Sequence, residues 1–255
     1  MTRNERISTQ SRRKWHWLVG SVVLPLAALG YFYGPALVIY YRVKSTSKSN
    51  PSFGRVPEPL PAASIAPSSQ KLTVFGVELQ VPWGGEPQIK QWQKMERMQF
   101  ADGQFVMLLD PSTMVDRIKI LAETSPGHDA EVVFGKEAMR SNYAFLNAML
   151  NVTPKHISLW MPRVQLVRNS VLLMLKGAEL TGTQTGLFRF GNERVRGFQK
   201  GDPAKSPAVV LDAFDDADRE YLIIVGRTSG TNGLVNQADI NLILSTLKPM
   251  RATTN

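Results

Sequence analysis

The chain has 255 residues, of which 43% are hydrophobic and 20% are charged, a balance typical of globular proteins. It contains no cysteine, which excludes disulfide frameworks, thiolate metal sites and cysteine nucleophiles. The formal net charge is +9, but residues 71–255 hold 21 Lys/Arg against 19 Asp/Glu, so the basic excess precedes them. A nucleic-acid-binding domain usually carries its own basic excess, and we therefore expect no nucleic-acid partner.

A long apolar run lies near the N-terminus. From Leu18 to Ile39 there are 22 residues without Asp, Glu, Lys, Arg or His, enough for a helix of about 33 Å across a hydrocarbon layer of about 30 Å. Aromatic residues that favour membrane interfaces flank the run at both ends. They are Trp15, Trp17, Tyr40 and Tyr41. The pattern predicts a transmembrane helix over residues 15–41.

Two alternatives to a retained helix remain. A cleaved signal peptide has a shorter apolar region and a small-x-small cleavage site, for which Ala28-Leu29-Gly30 is a weak match. A buried core helix usually has a polar stripe, which this run lacks.

The basic flanks predict an orientation. Arg12, Arg13 and Lys14 belong to the more basic flank, which tends to stay in the cytoplasm. Residues 1–14 are therefore predicted to be a cytoplasmic tail. The expected location is the cell membrane, with a single pass and an extracytoplasmic C-terminal domain.

The segment after the apolar run is rich in serine and proline. Residues 45–70, STSKSNPSFGRVPEPLPAASIAPSSQ, contain five prolines and show no apolar period. This composition predicts an extended linker over residues 42–70 and a folded domain over residues 71–255.

The start of the domain has the alternation of β-strands. KLTVFGVELQVPW alternates apolar and polar residues twice, with a break at Gly76. MERMQFADGQFVMLLD is typical of a hairpin that turns at Asp102-Gly103.

Three helices are expected next. Residues 112–123 favour a short helix with Ser112 as its cap. Helical spacing predicts a longer helix over residues 135–151 and another over residues 163–176, which Gly177 would end.

The pattern then returns to strands and closes with a helix. GLFRF, RVRGFQ, AVVLDAF and REYLIIVG follow one another with turn residues between them. NQADINLILSTLK has apolar residues on one helical face, with Asn236 or Asp239 in its first turn. The order predicts an α+β fold: a single N-terminal transmembrane helix, a linker, and an antiparallel sheet packed with helices.

This order of elements resembles that of PsbP-like domains, named for an extrinsic photosystem II protein. The strand pair with FGVELQVPW, the four-strand meander and the closing helix INLILSTLK carry the resemblance, over about residues 71–250. The resemblance implies a compact binding or assembly domain more readily than an enzyme, and it assigns no functional residue. The overall layout also looks like that of single-pass inner-membrane subunits of secretion machines.

Motifs for catalysis or cofactors are missing from the sequence. It has no GxSxG elbow, no Walker loop and no GxGxxG. The three histidines, His16, His128 and His156, lack metal-ligand spacing. We therefore expect no cofactor and no metal site of a known pattern.

One acidic cluster is the best candidate for chemistry. It lies in LDAFDDADREYLIIV and consists of Asp212, Asp215, Asp216, Asp218 and Glu220. Counted from Asp216, the sixth and twelfth positions are Tyr221 and Arg227, whereas an EF-hand needs Gly and Glu there. A polar hairpin turn between buried strands is the simpler interpretation, and an irregular cation site is the alternative.

Two other features suggest protein contacts. Trp92, flanked by polar residues in QIKQWQKMER, is a candidate interaction anchor. Arg189, Arg194 and Arg196 form a basic stretch that suits anionic headgroups or an acidic partner.

These features give two functional hypotheses. The first is a membrane-anchored extracytoplasmic binding or assembly module, in contact with membrane lipid and with a protein partner of the cell envelope. The second is an anchored hydrolase or cation-dependent enzyme that uses the Asp212–Glu220 cluster.

Overall fold

The computed structural model describes residues 36–123, 130–158, 160–180, 186–230 and 234–250. These residues form an α+β fold with a mostly antiparallel sheet and several helices, as the sequence predicts. Two units can be distinguished by their internal contacts. Unit 1 comprises Met1–Arg55 and Arg117–Thr181, and unit 2 comprises Val56–Asp116 and Gly182–Asn255.

Unit 2 contains the strands of the fold. They are β1 Glu58–Pro59, β2 Gln70–Val74, β3 Val77–Val81, β4 Gln88–Trp92, β5 Met95–Gln99, β6 Gln104–Leu109, β7 Leu187–Gly191, β8 Arg196–Lys200, β9 Ala208–Phe214, β10 Glu220–Arg227 and β11 Lys248–Pro249. The predicted hairpins and the four-strand meander are confirmed. Sequence reasoning missed β4, a polar strand, and the two-residue strands β1 and β11.

Eight strands of unit 2 form one sheet in the order β1-β7-β8-β9-β10-β6-β5-β4. Its neighbours are antiparallel except β1 and β7. At the centre, β9 and β10 pair from Glu220 opposite Phe214 to Gly226 opposite Ala208. Because side chains alternate across a strand, Leu211, Ile223 and Val225 all point into one apolar core.

Unit 2 also contains a smaller sheet with the strand order β11-β3-β2. Its helix, the sixth in chain order and called α6, spans Gln237–Thr246. Val77, Leu79 and Val81 of β3 join Ile240 and Ile243 of the helix in the same core. The helix begins with a capping box in which the side chains of Asn236 and Asp239 each accept the other's backbone N–H, whereas the sequence predicts only that one or the other serves the first turn.

Unit 1 contains the remaining helices. They are α1 Ala36–Ser49, α2 Arg117–Glu123, α3 Ala130–Phe134, α4 Asn142–Asn151 and α5 Arg163–Glu179. Several apolar side chains of α4 and α5, among them Leu146, Leu150 and Leu173, are completely buried. Phe134 and Phe145 meet edge to face, with their ring centroids 5.5 Å apart.

The prediction of a transmembrane helix has to be corrected. Among the described residues, no helix is long and apolar enough to cross a membrane. The helix that overlaps the end of the predicted span, Ala36–Ser49, has 14 residues, or about 21 Å, and from Arg42 onward it is mostly polar. Residues 15–35 of the predicted span lie outside the described residues.

The segment predicted to be an extended linker contains regular structure at its start. Helix α1 continues to Ser49, and a 3₁₀ turn follows over Pro51–Gly54, with Asn50 as its cap. Val43 and Phe53 are buried. These two apolar side chains, spaced ten residues apart, gave no periodic signal.

The helix predicted over residues 112–123 begins later than expected. A 3₁₀ turn occupies Pro111–Thr113, and its cap is Asp110 rather than Ser112. Helix α2 begins at Arg117, whose backbone N–H donates to Asn142 Oδ1 at 2.9 Å. This cap lies 25 residues away in the chain, so the local sequence could not indicate it.

The single helix predicted over residues 135–151 is wrong in its first half. Gly135 has a φ of +91° and separates helix α3 from a 3₁₀ turn, Ala138–Arg140. Helix α4 then begins after Ser141, whose Oγ accepts the backbone N–H of Ala144.

The predicted end of the next helix is also wrong. Gly177 lies inside α5, which continues to Glu179. A Cβ atom at Gly177 would approach the Phe53 ring to 2.5 Å. The glycine therefore permits close packing of Phe53 on the helix and does not terminate it.

A second close approach gives a test of the sheet. A Cβ atom at Gly197 in β8 would lie 1.9 Å from the backbone oxygen of Asp212 in β9. We expect Gly197→Ala to lower the free energy of unfolding by roughly 3 kcal/mol, because backbone has to move. Urea denaturation measures this change. Gly84→Ala, which meets no atom within 4 Å, is the control, and equal effects of the two substitutions would contradict the assigned pairing.

Candidate functional site

Trp92 lies on an open edge of the large sheet. It is the last residue of β4, all five residues of which are exposed. Ile89 is 62% exposed and Trp92 is 46% exposed. No strand among the described residues pairs with the outer side of β4, whereas β1 covers the opposite edge of the sheet.

The geometry of the hairpin fixes which backbone groups of β4 point outward. Trp92 pairs with Met95 across a two-residue turn, which makes them a hydrogen-bonded pair. Such pairs alternate with non-bonded pairs in an antiparallel ladder. The N–H and C=O groups of Ile89 and Gln91 therefore point away from β5 and are available to another strand.

The basic stretch with Arg189, Arg194 and Arg196 lies near the opposite edge of the sheet. Arg189 is on β7 and Arg196 is on β8, while exposed Arg194 lies in the turn between them. Asn192 holds this turn, because its Oδ1 accepts the backbone N–H groups of Arg194 and Val195. The structure thus brings the three arginines together on one hairpin and separates them from Trp92 by the width of the sheet.

The acidic cluster forms the turn of the β9–β10 hairpin. Asp215 accepts hydrogen bonds from the backbone of Ala217 and Arg219, from Arg219 Nε at 2.8 Å and from the Tyr221 hydroxyl at 2.9 Å. Burial, aided by the bond to Asp215, raises the pKa of Tyr221 to about 12. Asp218 has a φ of +60°, a conformation that Asp tolerates in turns.

Asp212 lies in β9 and takes part in a buried ion pair within the sheet. Its Oδ2 lies 2.6 Å from Lys200 Nζ, and both side chains are buried. Phe198, directly opposite Asp212 in the neighbouring strand, is also fully buried. The described residues contain no group of three or more His, Asp or Glu side chains placed to hold a metal ion.

A pocket of about 580 Å³ lies in unit 1. Phe134 and Leu172 are among its apolar lining residues, and His156, Arg168 and Asn151 are among its polar ones. Nδ1 of His156 accepts the backbone N–H of Thr153 at 3.1 Å, so the neutral imidazole carries its proton on Nε2. Arg168 donates to the carbonyl groups of Val132 and Val133 at the end of α3.

Lys176, which the sequence did not mark, lies fully buried on α5. Its Nζ donates to the carbonyl oxygen of Val152 at 2.7 Å and to that of Arg55. Val152 also lines the pocket. Burial lowers the pKa of Lys176 to about 8. A lysine with a lowered pKa beside a pocket is a candidate functional group. Through these two hydrogen bonds, Lys176 also connects the turn after α1 to the end of α4.

Most of the residues predicted to mark the membrane lie outside the described residues. These are Trp15, Trp17, Arg12, Arg13 and Lys14, and the same holds for His16 and His128. Tyr40 and Tyr41 lie on α1, with their ring centroids 5.5 Å apart, and Tyr41 is 64% exposed.

Comparisons with known proteins give no relative. No family model, no curated protein and no solved structure matches the chain.

The buried ion pair of unit 2 gives a second test. Lys200→Met should lower the free energy of unfolding by about 3–5 kcal/mol, because it leaves the Asp212 carboxylate buried without its cation. The double variant Lys200→Met/Asp212→Leu should recover most of this loss, since neither charge remains. A double-mutant cycle by chemical denaturation measures both effects, and additive losses would contradict the pairing.

Lys176 gives a pH-dependent test. Below pH 8 the lysine is charged in both states, and the folded state carries the full cost of burial. Between about pH 8 and 10.5 the folded state has released the proton while the unfolded state keeps it, so stability rises with pH. Across this range the wild type should gain about 3 kcal/mol relative to Lys176→Met. Denaturation curves over this pH range check it, and parallel pH profiles would contradict a lowered pKa.

Proposed function

We propose that the protein is a binding or assembly module that docks an extended segment of a protein partner along strand β4. The observation that carries the proposal is the exposure of the whole strand at the edge of an eight-stranded sheet. Open edges are usually shortened, bulged or covered, since they pair readily with other chains. In β-augmentation the partner adds a strand, and its side chains meet pockets or anchors on both faces.

The side chains of β4 suit such a partner. Ile89 lies opposite buried Met98 and extends the core face of the sheet to its rim. Trp92, three residues away, extends from the other face. Each can contact alternate apolar side chains of an added strand.

The central residue of β4 favours a different protein over a second copy of this chain. Lys90 is the third of five residues, so antiparallel self-pairing in full register would place two lysines side by side. Like charges in neighbouring strands are destabilising. A partner strand with an acidic residue opposite Lys90 avoids this repulsion.

Other predictions about function remain predictions. No observation favours the hydrolase or cation-dependent enzyme, because Asp215 is engaged in the turn and Asp212 in an ion pair. The resemblance to PsbP-like domains agrees with a binding role and stays a prediction. The extracytoplasmic location also stays a prediction, and accessibility of the domain to protease added to intact cells tests it.

A proline substitution tests docking at β4. Gln91→Pro removes an outward N–H group and leaves the inward bonds to β5 intact, so the fold should persist. The readout is a photo-crosslinking residue at position 89 of the full chain in cells. In the Gln91→Pro variant we expect the yield of one crosslinked partner to fall about tenfold, because the backbone N–H of residue 91 can no longer donate to the added strand. Gln91→Ala, which keeps the N–H, is the matched control.

The crosslinked site on the partner decides the binding mode. Mass spectrometry should locate it in an extended segment with alternating apolar residues. Equal yields from the proline and alanine variants, or crosslinks only to a second copy of this chain, would refute the proposal.

A further inference from the structure

The charges of the chain are divided unequally between the two units. The described residues of unit 1 include twelve Lys/Arg and four Asp/Glu, whereas those of unit 2 include twelve Lys/Arg and fifteen Asp/Glu. Unit 1 is thus strongly basic, although residues 71–255 are almost neutral as a whole. A basic surface of this kind attracts anionic partners.

Unit 1 also exposes a group of apolar side chains beside its pocket. Trp160 is 96% exposed, Val132 53% and Val164 49%. Met161, next to Trp160, lines the pocket and is partly exposed. We call these four residues the tryptophan patch.

Arg168 lies close to three members of the patch. Its guanidinium donates to the carbonyl group of Val132, and its side chain lines the pocket with Met161. Val164 lies one helical turn before Arg168 on α5, hence on the same side of the helix. Val132 and Val164 are thus both close to Arg168, which lines the pocket, and Trp160 is next to pocket-lining Met161.

Three cations lie near the patch. Lys136 lines the pocket, Lys155 precedes pocket-lining His156, and Arg163 lies between Met161 and Val164. All three are exposed, and none forms an ion pair within the described part of the chain. The acidic residue of the pocket, Glu137, is itself paired with Arg140 at 2.6 Å.

We propose that unit 1 binds an anionic lipid surface, with the tryptophan patch entering the boundary between headgroups and acyl chains and Lys136, Lys155 and Arg163 meeting the headgroups. An indole ring favours this boundary, because its body is apolar and its N–H remains hydrated. Aliphatic side chains beside it gain from contact with acyl chains.

The aliphatic members of the patch favour lipid over nucleic acid. Valine and methionine side chains have no planar face on which a base can stack, whereas single-stranded nucleic acids are bound through aromatic platforms. Three of the four patch residues are aliphatic. The basic charge alone suits both ligands, so the apolar contribution is the distinguishing property.

The absence of cysteine allows a local test in the full chain. Val164→Cys, labelled with an environment-sensitive fluorophore, reports on the patch itself and is independent of any lipid contact elsewhere in the chain. With vesicles of equal parts phosphatidylglycerol and phosphatidylcholine, we expect a shift of emission to shorter wavelength. The same label at Asp102→Cys, an exposed turn position of unit 2, is the control and should show no shift.

The charge requirement is tested in the labelled Val164→Cys background. Replacing Lys136, Lys155 and Arg163 by Gln should raise the lipid concentration for half-maximal shift about a hundredfold, since each cation near an anionic surface contributes about 1 kcal/mol. Pure phosphatidylcholine vesicles should be bound correspondingly weakly. Trp160→Ser should weaken the response without changing its dependence on anionic lipid.

Three outcomes would overturn the proposal. They are no shift at position 164, an equal shift with neutral vesicles, and the same shift with duplex DNA in place of lipid. Gln91→Pro should leave the vesicle response unchanged, and Trp160→Ser should leave crosslinking from position 89 unchanged. Failure at one surface is thus distinguishable from failure at the other.

Discussion

The pairing of β9 with β10 is the interaction on which unit 2 depends. It joins the two halves of the sheet, and its inward side chains, among them Leu211 and Ile223, are fully buried. From this hairpin the sheet extends by antiparallel strands to β7 on one side and to β4 on the other, and each added strand satisfies backbone groups of the one before. The sheet has to end, and it ends differently at its two sides. One side closes with the two residues of β1, while the other leaves the five residues of β4 exposed, which makes the binding proposal a consequence of sheet geometry.

Buried charge is used differently in the two units. In unit 2, Lys200 faces Asp212, so a cation and an anion compensate each other inside the sheet. In unit 1, Lys176 is satisfied by two carbonyl groups, and burial lowers its pKa because hydrogen bonds to neutral oxygens compensate a full charge less well. The first arrangement fixes the register of two strands, and the second holds a turn against two helices. The second also connects segments that are distant in the sequence.

Local patterns were a good guide wherever a strand or cap depends on neighbouring residues. Alternation found the hairpins and the meander, and Asn236 and Asp239 were both candidates for the first turn of the last helix. Prediction failed where distant residues decide. Gly177 was expected to end a helix, but Phe53, more than a hundred residues earlier, packs against it. Asn142 caps α2 across 25 residues, and Trp160 gave no signal that distinguishes it from a packed tryptophan.

The sequence by itself determined the α+β class, the order along the chain of the strands with apolar alternation and the lack of known catalytic motifs, because these follow from short-range periodicity and residue type. It favoured a transmembrane helix on the length of an apolar run, and no described helix is long and apolar enough to span a membrane. Only the tertiary structure decided which strand is left at the edge and which residues belong to each unit. It also divided the charges between a basic unit and a slightly acidic one, since chain folding brings residues 36–55 together with residues 117–180 and so gathers their positive charges.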